Sequence, residues 1–256
     1  MVPIVVGASL TVAGVVLDRA VAPVWSEVRA RQPALRLDSA GMAAGQGVTL
    51  ALLGGFRALV ADGAWIQMYA QWEKRDLPGA ETLIRSVGAI DPRPVYFWLN
   101  GARIIAYDFP AWRIEAAGGY DAVAPAVQRR VSHEQARAAL RQIATAMVFH
   151  PESPELWTER ANIELNRLGD LAAAAESYRR AWEMPGGPYY AARLHAEVLR
   201  RAGRKADALA WLTKLHPTLP GGDPAAGAGV VLERIRDLER ELAVPAGLAY
   251  QAAPMK

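Results

Sequence analysis

Small and large apolar residues recur along this chain with the 3.6-residue period of helices rather than the alternation of strands. In four segments a small residue is followed four positions later by a large apolar or aromatic one: Ala80 by Ile84, Ala139 by Ile143, Ala174 by Tyr178 and Ala208 by Leu212. A separation of four places both side chains on one helix face. The segments are Arg75–Pro92, Glu134–Pro151, Gly169–Pro185 and Gly203–Pro217, and their marker alanines lie 59, 35 and 34 residues apart. The last two separations match a helix–turn–helix repeat, and the first is one repeat plus about 25 inserted residues.

Local signals predict where helices begin and end. Ser153-Pro154 reads as an N-cap followed by proline at the first helical position. Ser132 with Gln135 reads as a capping box opening another helix. Gly169 and Gly203 stand where a first helix must stop in a left-handed residue. Val48–Trp72 is apolar but carries Arg57, Asp62 and Gln67, which are costly in lipid, so it is expected to be a soluble helix. Beyond Pro220, "GGDPAAGAG" reads as a linker. Val231, Ile235, Leu238 and Leu242 then form an apolar stripe at helical spacing, the pattern of a helix that caps a stack. Residues after Pro245 are expected to be a loose tail.

These residues resemble the tetratricopeptide repeat (TPR) family over about residues 61–217. Trp98 with Ala102 and Trp157 with Ala161 fill the family's first-helix pair. Gly169 and Gly203 fill the turn, Ala174–Tyr178–Ala181 and Ala208–Leu212–Leu215 the second helix, and Pro92, Pro151 and Pro217 the close. The chain departs from the pattern at Ala64, where tryptophan is expected and Trp65 stands beside it. It departs again at an insertion in the second repeat, and at one extra residue ahead of the second helix of the third. The resemblance implies an all-α, TPR-like α-solenoid of about four helix pairs with a C-terminal capping helix. It also implies a concave groove lined by first-helix residues. Carried over, these include Trp65, Tyr69, Tyr96, Arg103, Asn162, Tyr190 and Arg193, with Arg200 one turn further along. Aromatic platforms beside arginine forks suit an extended, acidic peptide.

The opening of the chain raises a membrane question. Val2–Leu17 is sixteen residues without a charge, roughly 24 Å as a helix against about 30 Å of hydrocarbon. Residues 2–24 are read as a membrane anchor; a cleaved signal peptide ending at Ala20–Ala22 and a buried helix are the alternatives. Arg19, Arg29, Arg31 and Arg36 follow the segment and no basic residue precedes it. The positive-inside rule would then leave the solenoid cytoplasmic at a bacterial-type inner membrane, with the periplasmic side open. The expected organisation is an apolar helix at 1–25, a linker at 26–47, and a solenoid at 48–220 with an insertion at 108–132. A linker and capping helix follow at 221–244, and a tail at 245–256.

Composition narrows the chemistry. The formal charge of +3 does not point to nucleic acid. The absence of cysteine excludes disulfides, thiolate metal sites and cysteine nucleophiles. His133, His150, His195 and His216 are expected at helix ends or on exposed faces, none with a second ligand at metal-binding spacing. There is no G-x-S-x-G and no phosphate-binding Walker loop; Gly54–Gly55 reads as a close helix contact. No cofactor is implied. Six of the twenty aromatic residues fall between Tyr96 and Trp112. Trp98, Phe97 and Ile105 are expected in the core. Tyr107, Phe109 and Trp112 would anchor the insertion, Arg103 and Asp108 would pair with each other, and Ala117–Pro125 would be a loop. The expected function is a non-catalytic adaptor holding a protein or peptide partner in its groove. The alternatives are a structural subunit of a membrane-associated complex and, more remotely, an enzyme with the insertion as a lid.

Overall fold

The computed structural model describes residues 57–252, and these are helical without a strand. The described residues from 58 onward belong to one compact unit. The apolar segment at 2–24, the linker at 26–47 and Gly54–Gly55 lie outside the described residues.

The helices are α1 (Arg57–Glu73), α2 (Leu77–Ile90), α3 (Val95–Arg103), α4 (Phe109–Ala116) and α5 (Pro125–Phe149). They continue with α6 (Pro154–Ile163), α7 (Leu171–Glu183), α8 (Tyr189–Arg201), α9 (Lys205–Leu215) and α10 (Ala228–Glu241). From α6 to α10 each helix packs mainly on the one before and the one after it. α3 packs on α5, with α4 inserted between them in sequence. The four marker alanines sit on α2, α5, α7 and α9 and are all fully buried; Ile84, Ile143, Tyr178 and Leu212 beside them are buried as well. A residue this small lets the facing helix approach, and its large neighbour one turn on fills the adjacent space.

The expected caps form at most sites. Ser153 accepts from the Leu156 amide at 3.3 Å, with Pro154 opening α6. Gly169 and Gly203 adopt left-handed backbone at φ 68° and 79°. The Ser132–Gln135 capping box does not form. Pro125 opens α5 seven residues earlier, and the helix runs through Ser132 without a break. With its position inside the helix, the Ser132 hydroxyl accepts instead from Arg167 Nη2 at 3.1 Å.

α6 ends in a π turn, Glu164–Leu168, which accommodates one more residue than an α turn without ending the helix. Another π turn, Ile104–Asp108, which comes first in the chain and leaves Glu164–Leu168 as the second, joins α3 to α4. The inserted segment therefore continues the α3 axis into α4 before it turns at residues 117–124. Gln128 Nε2 ties that turn down by donating to the Tyr120 and Val123 carbonyls at 2.7 Å each. Phe97, Trp98 and Ile105 are buried as expected, and Phe109 is fully buried with them. Trp98 lies against Gly88, where an added Cβ would stand 2.7 Å from its ring. Trp157 is only half-buried.

Past the linker, Val231, Ile235 and Leu238 of α10 are buried against α9, while Leu242 is 36 % exposed. The tail is not loose as far as residue 252. The Tyr250 amide donates to the buried Glu239 carboxylate, and the Tyr250 hydroxyl meets His216 Nδ1 at 3.1 Å. The Tyr250 backbone supplies the first anchor and its phenolic tip the second.

Candidate functional site

Three of the side chains expected to line a groove, Arg103, Asn162 and Tyr190, are on a polar face that crosses α3, α6, α7 and α8. Arg103, at the end of α3, donates to Glu159 on α6 at 2.8 Å. The Glu159 carboxylate is only 3 % exposed, and the guanidinium over it 52 %. The expected pairing of Arg103 with Asp108 does not occur. Asp108 closes the π turn and accepts from Trp72 Nε1 at 2.7 Å instead. Asn162, one turn after Glu159, accepts from the Tyr178 hydroxyl at 2.7 Å.

Tyr107, on the first π turn, completes the face. Arg167 of the second π turn lies over its ring at 5.3 Å. Burial raises the Tyr107 phenol, Glu159 adds to the rise, and Asn166, Arg167 and Arg103 oppose it. Burial likewise pushes the Tyr178 phenol up to about 12; Tyr107, Glu159 and Tyr190 reinforce the shift and Arg201 opposes it. Both phenols therefore stay protonated near neutrality and offer O–H groups as donors or acceptors. Tyr190 is 46 % exposed and Arg201 is exposed beside them. Together these residues make a strip of aromatic faces, amide and hydroxyl groups, one buried carboxylate and several guanidiniums.

The other expected groove residues serve different purposes. Trp65 is buried at 5 % exposure and packs its ring 5.2 Å from Phe97. Tyr69 and Tyr96 are exposed beside it, their hydroxyls 3.3 Å apart, in a second cluster at the α1–α3 edge. Arg193 is committed to the linker, donating to the Ala225 and Ala226 carbonyls at 3.0 and 2.7 Å. Arg200 is forked onto Glu197 at 2.9 and 2.7 Å, and the guanidinium holds that carboxyl below its ordinary range. Sequence reasoning missed Tyr107, Glu159, Arg167 and Tyr178. The π turns rotate Tyr107 and Arg167 onto this face, and an ideal helix period does not register that rotation.

His195 departs from its expected place. It sits in the middle of α8, 7 % exposed, with Nδ1 2.7 Å from the Ala175 carbonyl and its ring against Trp211. Burial lowers its pKa, so the neutral ring donates to that carbonyl. His216 is buried too, whereas His150 meets the Pro92 carbonyl from the end of α5 and His133 lies inside that helix. Among the described residues no group of three or more acidic or histidine side chains could hold a metal ion.

No protein-family model matches this chain, and no curated protein matches it in sequence.

Proposed function

We propose that the chain is a TPR-type, non-catalytic adaptor whose helix pairs present a strip of Arg103, Tyr107, Tyr190 and Arg201, held from beneath by buried Glu159 and Tyr178, to a polypeptide partner. The observation that carries this reading is the burial of Ala80, Ala139, Ala174 and Ala208 at equivalent places on α2, α5, α7 and α9. Equivalent packing at a 34–35-residue spacing is how a solenoid repeats one helix hairpin, and a stack of such hairpins leaves one face of its first helices uncovered. On that face the aromatic rings give contact area at low entropic cost, and the guanidiniums suit carboxylates of an acidic segment. Tethering through residues 2–24 belongs to the same proposal and rests on the sequence of that segment. Among the described residues no helix is long and apolar enough to cross a membrane.

The test is recovery of the full-length chain in mild detergent, with its bound proteins identified by mass spectrometry. The wild-type chain is expected to retain a partner that the double variant Tyr190→Ala/Arg201→Glu loses while its circular dichroism is unchanged. Recovery of the same proteins by the variant would overturn the assignment of this face. A structural subunit of a larger complex is the second reading, favoured by the exposure of Leu59 at 67 % and Ile66 at 70 % on α1. That reading expects stoichiometric co-purification abolished by Leu59→Ser/Ile66→Ser and untouched by the first pair.

A further inference from the structure

Where the insertion meets α5 and the second π turn there is a cavity of about 310 Å³, and no acidic residue lines it. Arg129 and Ser132 contribute from α5, His133 lies next to them, Arg167 comes from the π turn and Tyr120 from the turn of the insertion. The carboxylate on this stretch of α5, Glu134, is taken by Arg113 at 3.2 Å and Arg130 at 3.9 Å. Arg129 and Arg167 have no ion-pair partner among the described residues. The Arg167 guanidinium is held in place all the same, by the Tyr107 ring and by its bond to Ser132, and its Nε–H is buried without an acceptor.

A second cavity, of about 330 Å³ between α7, α8 and α9, shows the contrast. It too is lined by guanidiniums, but they are already neutralised. Arg179 is bound by Glu176 and Glu183, and Arg204 by Asp207. Of the two, the cavity at the insertion is the one whose guanidiniums are unmatched. Two guanidiniums facing one hollow repel each other, and an anion between them relieves that repulsion. The planar forks suit a carboxylate or a phosphate, and the Ser132 hydroxyl hydrogen is free to donate while its oxygen accepts from Arg167. The volume lies at the lower end of the roughly 300–1,000 Å³ of small-molecule pockets, which suits a small organic anion.

We propose that this cavity binds a compact organic oxyanion, a phosphate monoester or carboxylate of amino-acid size, between Arg129, Arg167 and Ser132. The full-length chain is titrated calorimetrically with O-phosphoserine, succinate and inorganic phosphate at constant ionic strength, with sodium chloride as control. Saturable binding of at least one of the three is expected. Preference for O-phosphoserine or inorganic phosphate assigns the phosphate headgroup, and preference for succinate the carboxylate. Losing one charge-assisted contact is expected to weaken binding about tenfold or more in R167Q and R129Q. R204Q, in the other cavity, is expected to bind as the wild type does. Arg129 is exposed, so R129Q tests the site even if R167Q fails to fold. Absence of saturable binding for all three probes, or unchanged affinity in R129Q, would overturn the proposal. None of the probes is a polypeptide, so the result is independent of the adaptor reading.

Discussion

The two hydrophobic clusters of the described residues are built from different materials. The first, from Ala61 to Ile163, is filled by Trp65, Phe97, Trp98, Phe109 and a set of isoleucines. The second, from Ala161 to Leu238, is mostly alanine, with Tyr178 as its one fully buried aromatic. α6 joins them, turning Leu156 and Ile163 to one cluster and Ala161 to the other. Alanine interfaces permit one close helix–helix distance, which Ala174 and Ala208 provide within the second cluster. Large side chains fill variable gaps, and the aromatic region accordingly accommodates α4 and a π turn. α1 reaches α3 and the first π turn through such side chains, with Trp65 on Phe97 and Trp72 on Asp108.

The largest test of this contrast is Tyr178→Ala, which empties the one large aromatic site of the alanine cluster. It is expected to cost about 3–5 kcal/mol in urea unfolding, whereas half-buried Trp157→Ala costs about 1–2 kcal/mol. Equal losses would mean that the alanine region collapses around its cavities. Next comes Gly88→Ala in the aromatic region. The new methyl meets the face of a rigid indole whose Nε1 is fixed to the Pro92 carbonyl at 2.9 Å, and a loss of about 1–3 kcal/mol is expected. A smaller effect, about 1–2 kcal/mol, is expected from Arg103→Ala, which leaves the buried Glu159 carboxylate unpaired; the exposure of the guanidinium holds the value down. Glu159→Gln in the same background should restore part of it, and a double-mutant cycle measures the coupling.

The smallest effect is a pH dependence confined to the alanine cluster. Burial holds the His195 pKa below its ordinary value of about 6.5. Its contribution to stability is complete above that value, falls as the pH drops towards the folded-state value, and levels off below it. His195→Gln should flatten this limb of the unfolding midpoint against pH. Stability that instead rises as the pH falls over that range would show that the ring is charged in the folded protein.

The sequence by itself determined which residues pack. Ala102, Ala139, Ala174, Tyr178 and Leu212 are buried where helical spacing places them, and Ser153, Gly169 and Gly203 end or begin helices as their side chains and backbone freedom require. These are local properties, fixed by a residue and its neighbours within one or two turns. The tertiary structure alone decided the polar partnerships. Arg103 chose Glu159 over Asp108, Arg193 went to the linker carbonyls, and Ser132 became a ligand of Arg167 in place of a cap. Long polar side chains reach across helices, and two π turns shifted which of them face one another. A hydrophobic period is set by 3.6 residues per turn, whereas an ion pair is set by which helix arrives opposite.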